Sequence, residues 1–466
     1  MTRHANAPIP RAPLPARPVD LLAVGCGPFN MGLAALSSTV PELKAFTVDA
    51  AEDFRWHPGL MFEDARLQVS FLADLVSLVD PTHPLSFLAY LADQDRMYPF
   101  YIRERFHMMR SEYEDYLRWA LAQLEQVAFG QRVELVEWDA AAEQFMVRLR
   151  ATDGGTASLP ARNLSVGIGT APWVPELVEG VERSRWMHSA QYLARVDEVD
   201  AAQTVTVVGS GQSGAEVVLD LLRRRPGPRP GIRWLTRTAS FAPLDYTKLV
   251  LEMTTPSYVK HFHALPEATR DALVANQWRH YKGISTDTLE AIHDQLYSRA
   301  VAFGEVDLEL RVATELRGVQ RSDAGVTLRC HDRVADHGFE RDTDLLIFAT
   351  GYRHRQPTFL EPLEPLLQRD AAGRLDLDLD HAVRSDPSLG GKVFVVNADL
   401  HSHGVAAPDL GICAYRNARI INTVLGRAHY RLPERTAFTR FGHHLDHEGA
   451  RGAEAESRIT KRESAA

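Results

Sequence analysis

The chain has 466 residues, 45% of them hydrophobic and 24% charged, which is long enough for two or three packed domains and too apolar for a disordered or fibrous protein. A formal charge of -9 argues against a polyanion binder and makes nucleic acid an unexpected partner. Three cysteines, Cys26, Cys330 and Cys413, stand far apart in no CxxC spacing, so no disulfide framework or dithiol centre is expected and a reducing, cytoplasmic setting fits.

The first residues carry Pro8, Pro10, Pro13, Pro15 and Pro18, which preclude helix and central strand, so 1–18 is expected to be a disordered leader. It lacks an apolar signal core, and no run of the chain is long and apolar enough to predict a membrane span. Ordered sequence opens on the apolar strand pattern Val19 to Val24 and runs through Gly25-Cys26-Gly27-Pro28-Phe29-Asn30-Met31-Gly32 into an Ala/Leu helix. Strand, glycine turn and helix are the opening of a Rossmann-like dinucleotide-binding fold. Gly25 permits the turn, Gly27 lets a pyrophosphate approach the backbone, and the helix N-terminus offers free N–H groups to the anion. Asn30 stands where GxGxxG expects its third glycine, with Gly32 two places on. The next strand, Ala45 to Val48, ends on Asp49, where a carboxylate accepts hydrogen bonds from a ribose diol.

Ser111-Glu112-Tyr113-Glu114 reads as a capping box that starts a helix. Its stripe of Tyr113, Tyr116, Leu117, Ala120, Leu121, Leu124 and Val127 is expected to face the core. A second strand-turn-helix follows, Thr204 to Val208 leading into a full GxGxxG of Gly209, Ser210, Gly211, Gln212, Ser213 and Gly214. Here the following strand, Ile232 to Thr236, ends on Arg237 instead of an acid, and a guanidinium suits the 2′-phosphate of NADP. Residues 241–301 form a small helical region, helical from Pro266 to Val301 with a break near Gly283, and this is where the substrate pocket is expected. Thr343 to Phe348 is a buried strand closing on Ala349-Thr350-Gly351, and 446–466 is polar enough to predict a disordered tail.

These motifs predict an α/β protein with two Rossmann-like dinucleotide-binding domains, the first suited to the ribose diol of FAD or NAD and the second to NADP, and the small helical substrate region. The segment ending in Ala349-Thr350-Gly351 resembles the strand by which flavoprotein monooxygenases return to the FAD domain. That divides the chain into a first FAD part at 19–195, an inserted NADPH unit at 200–335, and a returning FAD part at 336–435.

Several segments in order resemble the microbial N-hydroxylating flavin monooxygenases that act on lysine, ornithine or diamines. They are Val24 to Asn30, Phe54-Arg55-Trp56-His57-Pro58-Gly59, Leu67-Gln68-Val69-Ser70-Phe71-Leu72, Asp115 to Ala120, Gly209 to Glu216, and Asn397 to Gly404. The resemblance implies FAD contacts at Gly25, Gly27, Pro28, Asn30, Gly32, the stretch from Asp49 to Trp56 and His57, Pro408 and Leu410, with Gln68 beside the flavin as the catalytic candidate. It implies NADPH contacts at Gly209, Gly211, Gln212, Ser213, Gly214 and Arg237. The implied reaction uses O2 and a flavin hydroperoxide to hydroxylate a small amine, as a step in hydroxamate siderophore biosynthesis. For Gln68, the plainer reading is an amide that satisfies buried backbone.

The substrate end departs from the amino-acid hydroxylases. Their lysine for the substrate carboxylate is replaced here by Ala73, and their head-group asparagine falls on Leu251. A carboxylate left unpaired in the site costs binding, so a diamine such as putrescine or cadaverine is expected ahead of L-lysine or L-ornithine, unless Arg103 or Lys282 supplies the charge. Asp409 either attracts a distal ammonium or caps a following helix, and His280 either touches amine or nicotinamide ribose or is a core histidine. His401 and His403 form an HxH with no ordered third ligand, so no metal is expected. A Baeyer–Villiger enzyme is disfavoured because Ser184 and Glu182 stand where the linker motif before His188 requires glycine and phenylalanine. A non-catalytic flavin-binding redox sensor remains the alternative of another class, and a homo-oligomer stays open.

Overall fold

The computed structural model describes residues 11–304, 306–322 and 325–442. The expected tail at 446–466 and the first ten residues of the leader lie outside them. Ten short strands, numbered in chain order, build two parallel sheets: β1 (Leu21–Val24), β2 (Ala45–Asp49), β3 (Val127–Phe129), β4 (Leu164–Val166), β5 (Trp186–His188), β6 (Val205–Val208), β7 (Ile232–Leu235), β8 (Leu308–Arg311), β9 (Leu345–Phe348) and β10 (Val393–Val395). The first sheet runs β10-β4-β1-β2-β3 and the second β8-β7-β6-β9-β5, and every pairing in both is parallel. The central strands β1, β6 and β9 are largely apolar because both faces are covered. On the first sheet, helices α1 (Pro28–Ser38), α2 (Arg110–Leu121) and α8 (Cys413–Leu425) share one core, and a three-stranded antiparallel sheet over 131–161 covers the other face. The second sheet is covered by α3 (Gln212–Arg224) and α7 (Thr286–Phe303), and Leu60, Phe62 and Ala65 from the first unit enter the same core. Between β7 and α7 lie α4 (Pro256–His263), α5 (Glu267–Asn276) and α6 (Arg279–Lys282), with the expected break at Gly283.

The stripe from Tyr113 to Leu121 is buried as its helical spacing predicts, each large side chain contributing roughly 2 kcal/mol by leaving water, but the helix ends at Leu121, so Leu124 is buried beyond it and Val127 on β3. The capping box is not formed. The helix starts at Arg110 with Met109 at its N-cap and no side-chain cap, which puts Ser111 inside the first turn, and Glu114 instead accepts from the Trp56 backbone.

Three expectations about organisation need correction. Residues 11–18 are not a free leader: Ala12 N donates to Val127 O (3.1 Å), and Ala12 and Leu14 pack on the core, an extended edge arrangement that proline permits. The strand ending in Ala349-Thr350-Gly351 does not return to the first sheet, because β9 pairs with β6 along its length, and β10 makes the return instead. Likewise β5, placed in the FAD part at 19–195, is the edge strand of the second sheet against β9.

Candidate functional site

Each sheet ends in a glycine turn whose shape follows from what surrounds it. At the first, Gly25 has φ +90°, and a Cβ there would stand 2.4 Å from Gly167 O. A Cβ on Gly32 would lie 2.9 Å from both Cys413 Sγ and Asn417 Nδ2, so this glycine lets α1 and α8 touch. Gly27 differs, since nothing lies within 4 Å of its missing Cβ. It is also the N-cap of α1 with no side-chain cap, so open space meets free N–H groups, the shape a pyrophosphate needs. Asn30 turns inward, its Nδ2 donating to Gly25 O (2.8 Å) while Ser165 Oγ donates to its Oδ1 (2.8 Å), so it braces the turn. Asp49 accepts from Cys26 N (2.6 Å) and Ala51 N (2.7 Å), which holds its carboxylate at the strand end with lone pairs left for hydroxyl donors. These residues fit the pyrophosphate and ribose of FAD.

The second turn repeats the design. A Cβ on Gly209 would meet Ala349 O at 2.1 Å and one on Gly214 would meet Gly209 O at 2.9 Å, while Gly211 caps α3 without a side chain. Trp234 Nε1 donates to Gly209 O (2.7 Å) and fixes the turn from β7. Arg237 follows that strand, exposed and without a carboxylate partner among the described residues. This turn fits a dinucleotide bearing a 2′-phosphate.

One cavity of about 1650 Å³ crosses the carboxyl ends of strands from both sheets, the place where parallel α/β sheets bind ligands. It brings together Gln68, Gly209, Gly211, Gln212, Ser213, Arg237 and Pro408. Its helical wall is made by Asp271, Trp278, Tyr281 and Lys282 of the 241–301 region. The adenosine side of the first turn, with Gly27 and Asp49, lies away from these walls. Trp56 sits edge-on to Tyr113 (4.9 Å) and Leu410 packs on the first core. His57 adopts a left-handed backbone (φ 51°), and burial within the surrounding protein, followed by the Arg110 charge, holds its imidazole down at about 4.

The four expected substrate residues are not on the cavity wall. Ala73 is buried in a turn where its N donates to Ser70 O (2.9 Å), and Leu251 ends a one-turn helix, half-buried. His280 is half-buried. Asp409 accepts from Gly411 N (2.6 Å) as the cap of the turn before α8, and burial pushes its carboxyl up. Burial and the Asp409 charge also raise the Tyr246 phenol, a neighbour the sequence reading missed.

Sequence reasoning also missed a polar chain joining the two units through the cavity wall. Gln68 Nε2 donates to Gln212 Oε1 (3.3 Å), and Gln212 Nε2 donates to Glu216 Oε1 (2.8 Å) and Thr288 Oγ1 (3.0 Å). Glu216 receives both arms of Arg110, at 2.8 and 2.6 Å, and Arg110 also donates to Leu60 O (3.1 Å). The only local signal was an acid one turn after Gln212 on the otherwise apolar face of α3. Because the pair is mostly buried, Glu216→Gln is expected to cost about 2 kcal/mol by leaving the guanidinium without its charge partner. A lower thermal midpoint checks this, and an unchanged midpoint contradicts it.

His401 and His403 do not converge. His401 Nε2 bonds Leu375 O (2.9 Å) at the cavity, whereas His403 is buried with its ring stacked on His381 at 3.8 Å. Asp399 lies against His381 Nδ1 (3.0 Å) and Arg416 Nη2 (3.5 Å). Among the described residues these three, His381, Asp399 and His403, form the one group with metal-ligand reach, but stacked rings do not converge their lone pairs and Arg416 already balances the carboxylate. Burial lowers both imidazoles, and Arg416 and His381 hold the Asp399 carboxyl below its usual range although burial opposes them. Unfolding therefore lets these histidines bind protons that the native state refuses. Their contribution is complete above the unfolded value of about 6.5 and is lost as the pH falls below it. The thermal midpoint is thus expected to drop between roughly pH 6.5 and pH 5, and a midpoint flat or rising with acid contradicts this.

Two parallel sheets opening on uncapped glycine turns, with one cation-lined cavity across their ends, define a protein built to hold two dinucleotides. The profile of the family described as L-lysine 6-monooxygenase/L-ornithine 5-monooxygenase matches residues 17–354. The chain belongs to that family, and its cofactors are FAD and NADPH. It is 41% identical to the rhizobactin siderophore biosynthesis protein RhbE of Rhizobium meliloti, over 91% of this chain and 95% of that one. It is 36% identical to a putrescine N-hydroxylase of Acinetobacter baumannii, over 91% and 93%. Among solved structures, the FAD-bound cadaverine monooxygenase DfoA of the desferrioxamine pathway in Erwinia amylovora superposes with a TM-score of 0.88 at 38% identity, covering 92% of this chain and all of that one. None of the described helices is long and apolar enough to cross a membrane.

Proposed function

We propose that this chain hydroxylates the terminal amine of a small diamine, putrescine or cadaverine, in the biosynthesis of a hydroxamate siderophore. The observation that carries the reading is Ala73: a small apolar residue, buried at 6% exposure, occupies the position where the amino-acid hydroxylases place the lysine that meets a carboxylate. The putrescine and cadaverine enzymes among its relatives and the siderophore pathways named for others support it.

In this reading the first sheet carries FAD, on the turn at Gly27 with Asp49 at the ribose, and the second carries NADPH, on the turn at Gly211 with Arg237 at the 2′-phosphate. Bound FAD supplies the activation of O2 with electrons from NADPH. Gln68, tied to Gln212, orients groups at the cavity where the two units meet. Trp278 and Tyr281 line the cavity from the helical side and present apolar ring surface to it. Asp409 serves as the cap of the turn before α8, accepting from Gly411 N, and is not assigned to the amine.

The test is whether NADPH consumption by the FAD-loaded protein depends on amine. Adding putrescine or cadaverine is expected to raise NADPH oxidation and yield hydroxylamine, while omission leaves slow oxidation to hydrogen peroxide. NADPH use indifferent to every amine contradicts the enzyme and favours the redox-sensor reading.

A further inference from the structure

Lys282 comes from the helical region yet faces the second glycine turn. Its carbonyl lies 3.7 Å from the place a Gly211 Cβ would take, and it lines the cavity that Arg237 and Thr238 also line. The segment is held there. A Cβ on Gly283 would stand 2.3 Å from Leu244 Cα, and Leu244 N donates to Ile284 O (2.7 Å), so the end of α6 is clamped against the chain leaving β7. The surrounding protein first and the Arg237 charge second lower the Lys282 ammonium. Neither has a carboxylate partner among the described residues, although acids line the same cavity. Asp271 is taken by Arg374 (2.8 Å) and Glu315 by Arg317 (3.1 Å). Two like charges lining one cavity, each without a carboxylate partner among the described residues, are a site for a dianion.

We propose that Lys282 and Arg237 together grip the 2′-phosphate of NADPH, so that the helical region supplies half of the nucleotide's selectivity. This rests on the reading that the second turn holds NADPH, and it assigns Lys282 away from the alternative role of meeting a substrate carboxylate. Arg237 presents a planar fork and Lys282 a point charge, a pair that a phosphate monoester accepts and a ribose hydroxyl does not.

The test titrates the FAD-loaded protein with 2′,5′-ADP and with 5′-AMP by calorimetry, and measures KM for NADPH and for the amine separately. Wild-type protein is expected to prefer 2′,5′-ADP. Lys282→Met is expected to weaken 2′,5′-ADP about tenfold, to raise the NADPH KM in step, and to leave 5′-AMP binding and the amine KM where they were. Lys282→Arg keeps the preference, and Arg237→Ala reproduces the loss. A wild type that binds both nucleotides alike overturns the placement of NADPH and the proposal with it. A preference that survives Lys282→Met intact, or a variant whose amine KM rises instead, overturns the role of Lys282 alone.

Discussion

Gly27→Ala is expected to give a folded protein that has lost FAD. Its backbone, at φ -76°, suits any L-residue, and the new methyl meets no protein atom within 4 Å, so the fold has no reason to fail. The methyl does enter the space in front of the α1 N-terminus, where a pyrophosphate has to reach free N–H groups. Losing that approach forfeits more than one charge-assisted hydrogen bond, so the affinity for FAD is expected to fall on the order of a hundredfold or more. Titrating FAD into the apoprotein by flavin fluorescence, with circular dichroism as the check on folding, measures it. Gly25→Ala and Gly32→Ala are the contrast. Their methyls strike Gly167 O and the side chains of α8, so they damage the fold itself. Normal FAD affinity in a folded Gly27→Ala protein would mean that the first turn has another use.

What the sequence made legible was local chemistry. Glycine turns, the acid at Asp49, the base at Arg237, the stripe on α2 and the break at Gly283 each depend on neighbours within a few residues, and periodicity or turn stereochemistry reports them. Strand partnership depends on distant chain. Leu345–Phe348 looks the same whether it completes the first sheet or the second, and only its register with Val205–Val208 decides. The Arg110–Glu216 pair spans 106 residues and left no local trace beyond a misplaced acid. The capping box failed for a related reason, since the helix begins one residue before Ser111 and Glu114 is taken by the backbone of Trp56, far back in the chain. At the substrate end, Ala73, Leu251, His280 and Asp409 were singled out by comparison with a family pattern, and the large cavity is lined by other residues. The cavity walls follow from where the two sheets end, which no single segment encodes.

The second large effect concerns substrate choice. With Ala73 in place of a lysine, an amino-acid substrate has to leave its carboxylate unpaired in a closed site or hydrated at the mouth. A penalty of about 2 to 4 kcal/mol for a charge missing its partner corresponds to discrimination on the order of thirtyfold to a thousandfold in kcat/KM in favour of the diamine. Ala73→Lys is expected to narrow that gap mainly by harming diamine turnover, because two cations then share one pocket. Rescue of an amino acid is expected to be partial, since Leu251 offers no hydrogen bond to its head group. Folding has to be checked in this variant, because Ala73 is buried and the longer side chain must find a way out. The most direct measurement is therefore on the unaltered protein: hydroxylamine formation from putrescine, cadaverine, L-lysine and L-ornithine side by side at saturating NADPH, read as product because peroxide release inflates NADPH loss. The account predicts that a diamine exceeds both amino acids by at least about thirtyfold in kcat/KM, and lysine or ornithine turnover equal to or above that of the diamines would contradict it.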